Sequence, residues 1–389
     1  MALTGRGDLI YADQAATSWP KPPEVVAAMT AYMQEAGANP GRSGHRLAVE
    51  AARRVFLTRC RLAELLGITD ESRVVFVPGA TWAINVALYG LLRPGDEVIT
   101  SSMEHNAVAR PLFDLSARGV VVRRVLCDRE GRLDPEDVRR AMTDRTRLVV
   151  MTHASNVTGT LLPAAEVGRL ARERGIAFLL DAAQTAGCVP LDVQELHVDL
   201  LALTGHKGLL GPQGTGALYI REGLDPTPLV RGGTGSFSHL DSQPEQLPDR
   251  HESGTINGPG LAGLGAALEV IAERGVDAIR LHEMELADRL LGRLREVPRV
   301  RVYGPMRARA RVPVVSFNIE GMDPAEVGWR LDEQFGIMVR TGLHCAPWAH
   351  RTIGTYPRGT VRISLGYSNT DEEVDRILAA IQTLAEGGR

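Results

Sequence analysis

Lys207, Asp181 and Cys345 are the side chains in this sequence whose types and surroundings could do covalent chemistry together. Lys207 closes the stretch LLALTGHK, in which an apolar run, Leu200 to Leu203, breaks off into Thr204, Gly205 and His206. A lysine at the mouth of a buried strand is costly unless its charge is paired or its amine is in use. A desolvated amine can form a Schiff base with an aldehyde. A solvated loop lysine is the plain alternative. Asp181 follows a second apolar run, Ile176 to Leu180. Open α/β sheets bind ligands at the C-terminal ends of their strands, and a carboxylate there can keep a pyridinium nitrogen protonated. A helix N-cap is the plain alternative for Asp181. Cys345 lies in RTGLHC, after Arg340 and beside His344. Nearby cations favour the thiolate, the nucleophilic form of cysteine, whereas a lone cysteine is otherwise a small buried hydrophobe.

Together, DAAQ (181–184) and TGHKGLLGPQGTG (204–216) resemble the class V aminotransferase family, and within it the cysteine desulfurases and selenocysteine lyases. RTGLHCA is similar to the Arg-Thr-Gly-His-His-Cys-Ala motif of the short-loop members, with Leu343 in place of the first histidine and an added His350 further on. The resemblance runs from about Tyr11 to Thr370. It implies an α/β protein of fold type I: a large domain, residues 14–262, with a seven-stranded, mostly parallel sheet, and a smaller α+β domain from residues 1–13 and 263–389. It implies pyridoxal 5′-phosphate on Lys207, with Asp181 at the ring nitrogen and His105 stacked on the ring. Asn156 and Gln184 would donate to the phenolic oxygen, with Thr204 and His206 also against the cofactor. Thr255 would reach the phosphate of a neighbouring subunit, which makes the protein a homodimer. Arg362 would clamp the substrate carboxylate near Arg340, and His45 would stand at the substrate entrance.

The reaction so implied converts L-cysteine to L-alanine, leaves a persulfide on Cys345 and passes sulfur to an acceptor protein. A selenocysteine lyase, or another class V lyase, racemase or epimerase, keeps the cofactor and changes the substrate. A catalytically silent scaffold is a third reading. The joint presence of Asp181, Gln184, His206, Lys207, Cys345 and Arg362 weighs against it.

These side chains need elements to carry them. Strands are expected at 74–77, 96–101, 120–126, 147–152, 176–180 and 200–203, interleaved with helices near 82–91, 133–142 and 164–174. That alternation is the pattern of a mostly parallel sheet covered on both faces. The run 217–220 follows too closely for a crossover helix and is expected to be antiparallel or offset. Gly79, Ala80 and Thr81 enter a helix after a strand, and converging backbone N–H groups there make an anion site suited to a phosphate. Helices near 23–35 and 47–66 precede this region. Residues 226–259, rich in Gly, Pro, Ser and Asp, read as a long irregular segment. Helices near 260–275, 279–296 and 324–335 and strands at 300–303, 314–319 and 337–339 follow, and 340–350 is expected to be irregular.

Composition narrows the class. The chain has 389 residues, 44% hydrophobic and 23% charged, which suits a soluble globular protein. A net charge of −3 favours neither nucleic acid nor an anionic membrane. No apolar run approaches the ~18 residues of a membrane span. The start, MALTGRGDLIYADQAAT, lacks a basic-then-apolar signal region. Cysteines 60, 127, 188 and 345 form no CxxC pair, which argues against a disulfide framework or a structural metal and for a reducing cytoplasm.

Overall fold

The computed structural model describes residues 9–41 and 43–387. Residues 1–8, the start of the expected small-domain segment and of the stretch read for a signal, lie outside the described residues, as do Arg42 and residues 388–389. The chain opens with β1 (Ile10–Tyr11), α1 (Pro23–Glu35) and α2 (Arg46–Leu65). Pro23 at the first turn of α1 costs nothing, since that N–H has no intrahelical partner. The main sheet then builds from β2 (Val74–Val77), β3 (Glu97–Ser101), β4 (Val121–Val125), β5 (Thr146–Thr152), β6 (Ala177–Asp181), β7 (Leu200–Thr204) and β8 (Gly216–Ile220). Their order is β2-β8-β7-β6-β5-β3-β4. Only β8 runs against its neighbours, as the short spacing after β7 requires.

Strands β2, β3, β7 and β8 are buried throughout, and β6 nearly so, because helices cover both faces. α3 (Ala80–Leu91) and α4 (Asn106–Ala117) pack on one face with Val75, Val98, Leu148 and Leu179. α5 (Pro135–Ala141), α6 (Ala164–Glu173) and α7 (Gly258–Arg274) pack on the other with Phe76, Ile99, Val149 and Phe178. Phe178 is fully buried, so truncation to alanine would cost about 3–5 kcal/mol. The sequence pattern did not announce α4, because Pro111 lies inside it. Its apolar positions Val108, Leu112 and Leu115 nonetheless form one helical stripe into the core, which offsets the hydrogen bond that Pro111 cannot donate.

No helix or strand lies between β8 and α7, as the composition of 226–259 predicts. α8 (Val276–Leu294), β9 (Val300–Tyr303), β10 (Val314–Ile319), α9 (Pro324–Phe335), β11 (Ile337–Met338), β12 (Arg340–Gly342), α10 (Pro347–Ile353), β13 (Thr360–Ser364) and α11 (Asp371–Gly387) complete the chain. A four-stranded antiparallel sheet, β12-β13-β10-β9, forms there, and β1 pairs in parallel with β11. Its apolar cluster joins Ile10 and Ala12 to Leu290, Phe317, Ile363 and Ile381. The larger cluster extends through Leu264, Leu268 and Ile279, so α7, packed against α1 and α2, belongs to the large core past residue 262. The expectation that 340–350 is irregular is corrected: β12 pairs with β13, and Pro347 starts α10.

Candidate active site

β2, β3, β5, β6 and β7 all point their C-terminal ends to one edge of the main sheet. A cavity of about 760 Å³ opens at that edge, within the range of small-molecule and cofactor sites. Asp181 and Lys207 line it together, with His105, Asn156, Gln184, Thr204, His206, Ala80, Thr81 and Arg340. Burial raises the Asp181 carboxyl, while an N–H from Ala183 at 3.0 Å and the charge of Lys207 work against that rise. Burial lowers Lys207 to about 8; Asp181 opposes this, and Arg362 and Arg340 add to it. The neutral, nucleophilic amine is therefore far more populated near neutral pH than in an ordinary lysine, though still the minor form.

One end of the cavity suits a phosphate. α3 is capped by Gly79, which has no side chain to engage the helix, so the N–H groups of Ala80 and Thr81 remain available to a ligand. A Cβ on Gly216 of β8 would come within 2.5 Å of the Gly79 Cα, so a glycine there lets the turn lie close against the sheet. The buried Nδ1 of His206 lacks a hydrogen-bond partner. Burial, then Lys207 and Lys21, lowers that ring to about 4, so it is neutral.

His105 caps α4, its Nδ1 accepting from Ala107 N–H at 3.0 Å, which leaves the ring proton on Nε2. Burial foremost, with Lys207 and Arg340, lowers this ring too, to about 4. Asn156 donates to the His344 carbonyl at 2.7 Å and Gln184 to the Ala15 carbonyl at 3.1 Å. Each amide keeps a second N–H.

Arg362 is fully buried on β13, one layer behind the lining residues. Its Nη2 donates to Asp13 at 2.5 Å and its Nη1 to the Asn156 carbonyl at 3.2 Å, and its Nε is buried without a partner. Burial lowers its pKa and Asp13 holds it up.

Cys345 is exposed at the rim. Arg340 Nη2 donates to its Sγ at 3.3 Å. His344 and Cys345 both adopt left-handed backbone angles, φ 48° and 57°, which non-glycine residues rarely hold unless neighbours over-determine them. Here Asn156 holds the His344 carbonyl, and Asn106 N–H donates to the Cys345 carbonyl at 2.7 Å. The cysteine loop is thus pinned to the cavity wall. Behind it, His344 Nδ1 meets His350 Nε2 at 3.3 Å, and His350 Nδ1 meets Thr355 Oγ1 at 2.7 Å. The expectation that His344 is a cation beside the thiol is corrected. Burial, then Arg362 and His350, lowers its ring to about 2, so of these two neighbours Arg340 is the one that carries charge.

Two expected site residues fall elsewhere. His45 does not line the cavity; it is exposed and caps α2, with Nδ1 accepting from Ala48 N–H at 3.3 Å. Thr255 is exposed in an adjoining cleft, which shares Pro78, Trp82 and Gly214 with the cavity. Sequence reasoning passed over Asp13, the partner of Arg362. It also passed over Glu104. That acid is fully buried, accepts from Ser101 Oγ at 2.5 Å and from Thr152 N–H at 3.0 Å, and is raised to about 8 by burial, with Asp181 adding to the rise. A lone acid shortly after a strand of buried residues, between Met103 and His105, was the available signal.

Known proteins with this arrangement share a description. The aminotransferase class-V family model matches residues 10–377. A probable cysteine desulfurase of Methanothermobacter thermautotrophicus is 37% identical over 98% of this chain and 96% of its own. The apo structure of a cysteine desulfurase from Thermococcus onnurineus NA1 superposes with a TM-score of 0.91 at 34% identity, covering 97% of this chain and 95% of that one. The Escherichia coli cysteine desulfurase CsdA, in an S-sulfonic acid form, gives 0.87 at 30% identity over 97% and 94%.

Proposed function

Since the chain belongs to the aminotransferase class-V family, we propose that it is a pyridoxal-phosphate-dependent cysteine desulfurase that converts L-cysteine to L-alanine. One observation carries this reading. Arg340 lines the cavity that holds Lys207 and Asp181 and also donates to Cys345 Sγ, so a reactive thiol stands at the rim of an amine-and-carboxylate site.

The residues present fit the cofactor. Asp181 would keep a ring nitrogen protonated, Lys207 would take the aldehyde, and the open N-terminus of α3 with Thr81 and His206 would hold the phosphate. When bound, pyridoxal phosphate supplies an electron sink beside the substrate amine. His105, neutral, presents a flat ring to the cavity. Arg340, on the cavity wall, and Arg362, behind it with an Nε that has no partner, would orient the substrate carboxylate. Lys207, with its lowered pKa, takes the proton from the substrate Cα. Cys345 Sγ attacks the substrate sulfur: an S–S bond forms, the Cβ–S bond breaks, and the carbon keeps the electron pair and is protonated. The products are alanine and a persulfide on Cys345, with no external oxidant. The exposed thiol suits onward transfer to an acceptor protein. Free cysteines throughout suit a reducing cytoplasm. A second copy across the Thr255 cleft, where Trp82 and Val230 are exposed, would complete a homodimer.

The test compares wild type with Cys345→Ser. Wild type should yield alanine from L-cysteine in step with sulfur released by a reductant. The variant should bind cofactor with an unchanged spectrum and make alanine only at background. Undiminished turnover by the variant would sink the reading.

A further inference from the structure

A short strap, Asp13 to Lys21, joins the two halves of the site. At one end Asp13 holds Arg362, Gln14 N–H donates to the Ser364 carbonyl at 3.2 Å, and Ala15 N–H donates to Ser364 Oγ at 2.9 Å. At the other end four donors converge on the carbonyl of His206: Ser18 N–H at 2.9 Å, Thr17 Oγ1 at 3.0 Å, Ser18 Oγ at 3.2 Å and Lys21 Nζ at 2.9 Å. A carbonyl oxygen has two lone pairs, and one or two donors satisfy it. Lys21 also donates to Ser18 Oγ at 2.7 Å. Its ammonium is the charge-assisted member of the group, and such bonds are about twice as strong as neutral ones. Burial lowers Lys21 to about 8, a cost that a mere spacer would not carry.

The carbonyl so gripped belongs to the peptide that bears the N–H of Lys207. Fixing that peptide plane fixes the direction in which the Lys207 side chain leaves the backbone. An α-amino acid carries its amine and carboxylate on one carbon, so the groups that receive them must be held at one separation. We infer that Lys21 is a positioning residue: through the His206 carbonyl it sets the Lys207 amine relative to Arg362, with the strap as the rigid link between them. This rests on the reading of Lys207 as the cofactor lysine.

The experiment compares wild type, Lys21→Met and Lys21→Arg. Two quantities are measured: the rate at which added pyridoxal phosphate becomes attached to Lys207, trapped by borohydride and located by peptide mass, and kcat and KM for L-cysteine. Lys21→Met should slow attachment about 10-fold and lower kcat about 10- to 100-fold, with KM changing less, the penalty of a misplaced reacting group. Lys21→Arg still donates a charge-assisted bond and should recover most of both rates. Thr17→Val, which removes a neutral donor, should cost less in the same direction; should Lys21→Met prove insoluble, this variant decides, and wild-type rates in it overturn the inference. Wild-type rates in Lys21→Met overturn it, as does an arginine variant no better than methionine with both melting lower, which marks a structural lysine. If wild-type Lys207 takes no cofactor, the functional reading itself has failed and the inference falls with it.

Discussion

Lys207 projects from just past the end of a strand buried on both faces, whereas Cys345 is itself exposed on a turn between β12 and α10, flanked by buried His344 and Ala346. The lysine end is controlled by desolvation: burial pushes Lys207 and His105 down and Asp181 and Glu104 up. The cysteine end is controlled by backbone. Left-handed angles at His344 and Cys345 are held by Asn156 and Asn106, and the thiol stays open to solvent. The contrast follows the two tasks. Proton transfer at a substrate carbon needs tuned, water-poor groups. A thiol that must accept sulfur and hand it on needs placement and access.

Substitutions at each end should separate the two. Asp181→Asn should have the largest effect. An amide cannot keep a cofactor ring nitrogen protonated, so the electron sink weakens and turnover should fall by roughly 100-fold or more. Alkylation of Cys345 by a small electrophile should proceed at the wild-type rate in the same variant; a change there would mean that the ends are not independent. His350→Phe should come next. It breaks the chain from Thr355 through His350 to His344, and a loosened cysteine loop should lower kcat about 10-fold. The absorption of the Lys207-linked cofactor should not move. A shifted band with unchanged kcat would reverse the assignment of His350 to the cysteine end.

The same contrast decides what the sequence could tell. Lys207 and Asp181 were legible because each ends an apolar run, and the run, its length and its break are local signals. The antiparallel β8 was legible from loop length alone. Arg362 could be flagged, but its burial could not be read, since its partner Asp13 lies at the far end of the chain. α4 was hidden by Pro111 and α10 by its polar residues, both of which local propensity reads as breaks. His45 and His105 illustrate the limit. Both cap helices through Nδ1, an uncommon capping residue, and only the tertiary fold puts one against the cavity and the other in solvent.

Glu104→Gln should have the smallest effect on turnover and the clearest effect on stability. Its carboxyl ties β3 to the Thr152 N–H of β5, and Thr152 pairs with Asp181. In the unfolded chain this acid titrates near 4.5, and in the folded protein near 8. The folded state therefore holds the proton more tightly. The stabilisation is complete below about pH 4.5 and is lost as pH rises through 8. The histidines of the cysteine end have the opposite sign. His344 and His350 are depressed to about 2 and 4, so they destabilise in acid and that penalty disappears as pH rises through their usual 6.5. A loss of stability between pH 6.5 and 8 thus cannot come from them. Glu283, buried against Cys188 and also raised to about 8, adds a loss of the same sign, so the informative quantity is the difference between wild type and variant. Melting temperatures of both proteins, measured with cofactor at pH 5, 6, 7 and 8, should diverge as pH rises, with the glutamine variant falling less. Parallel curves would place the Glu104 proton outside this window and remove a buried neutral acid from the lysine end.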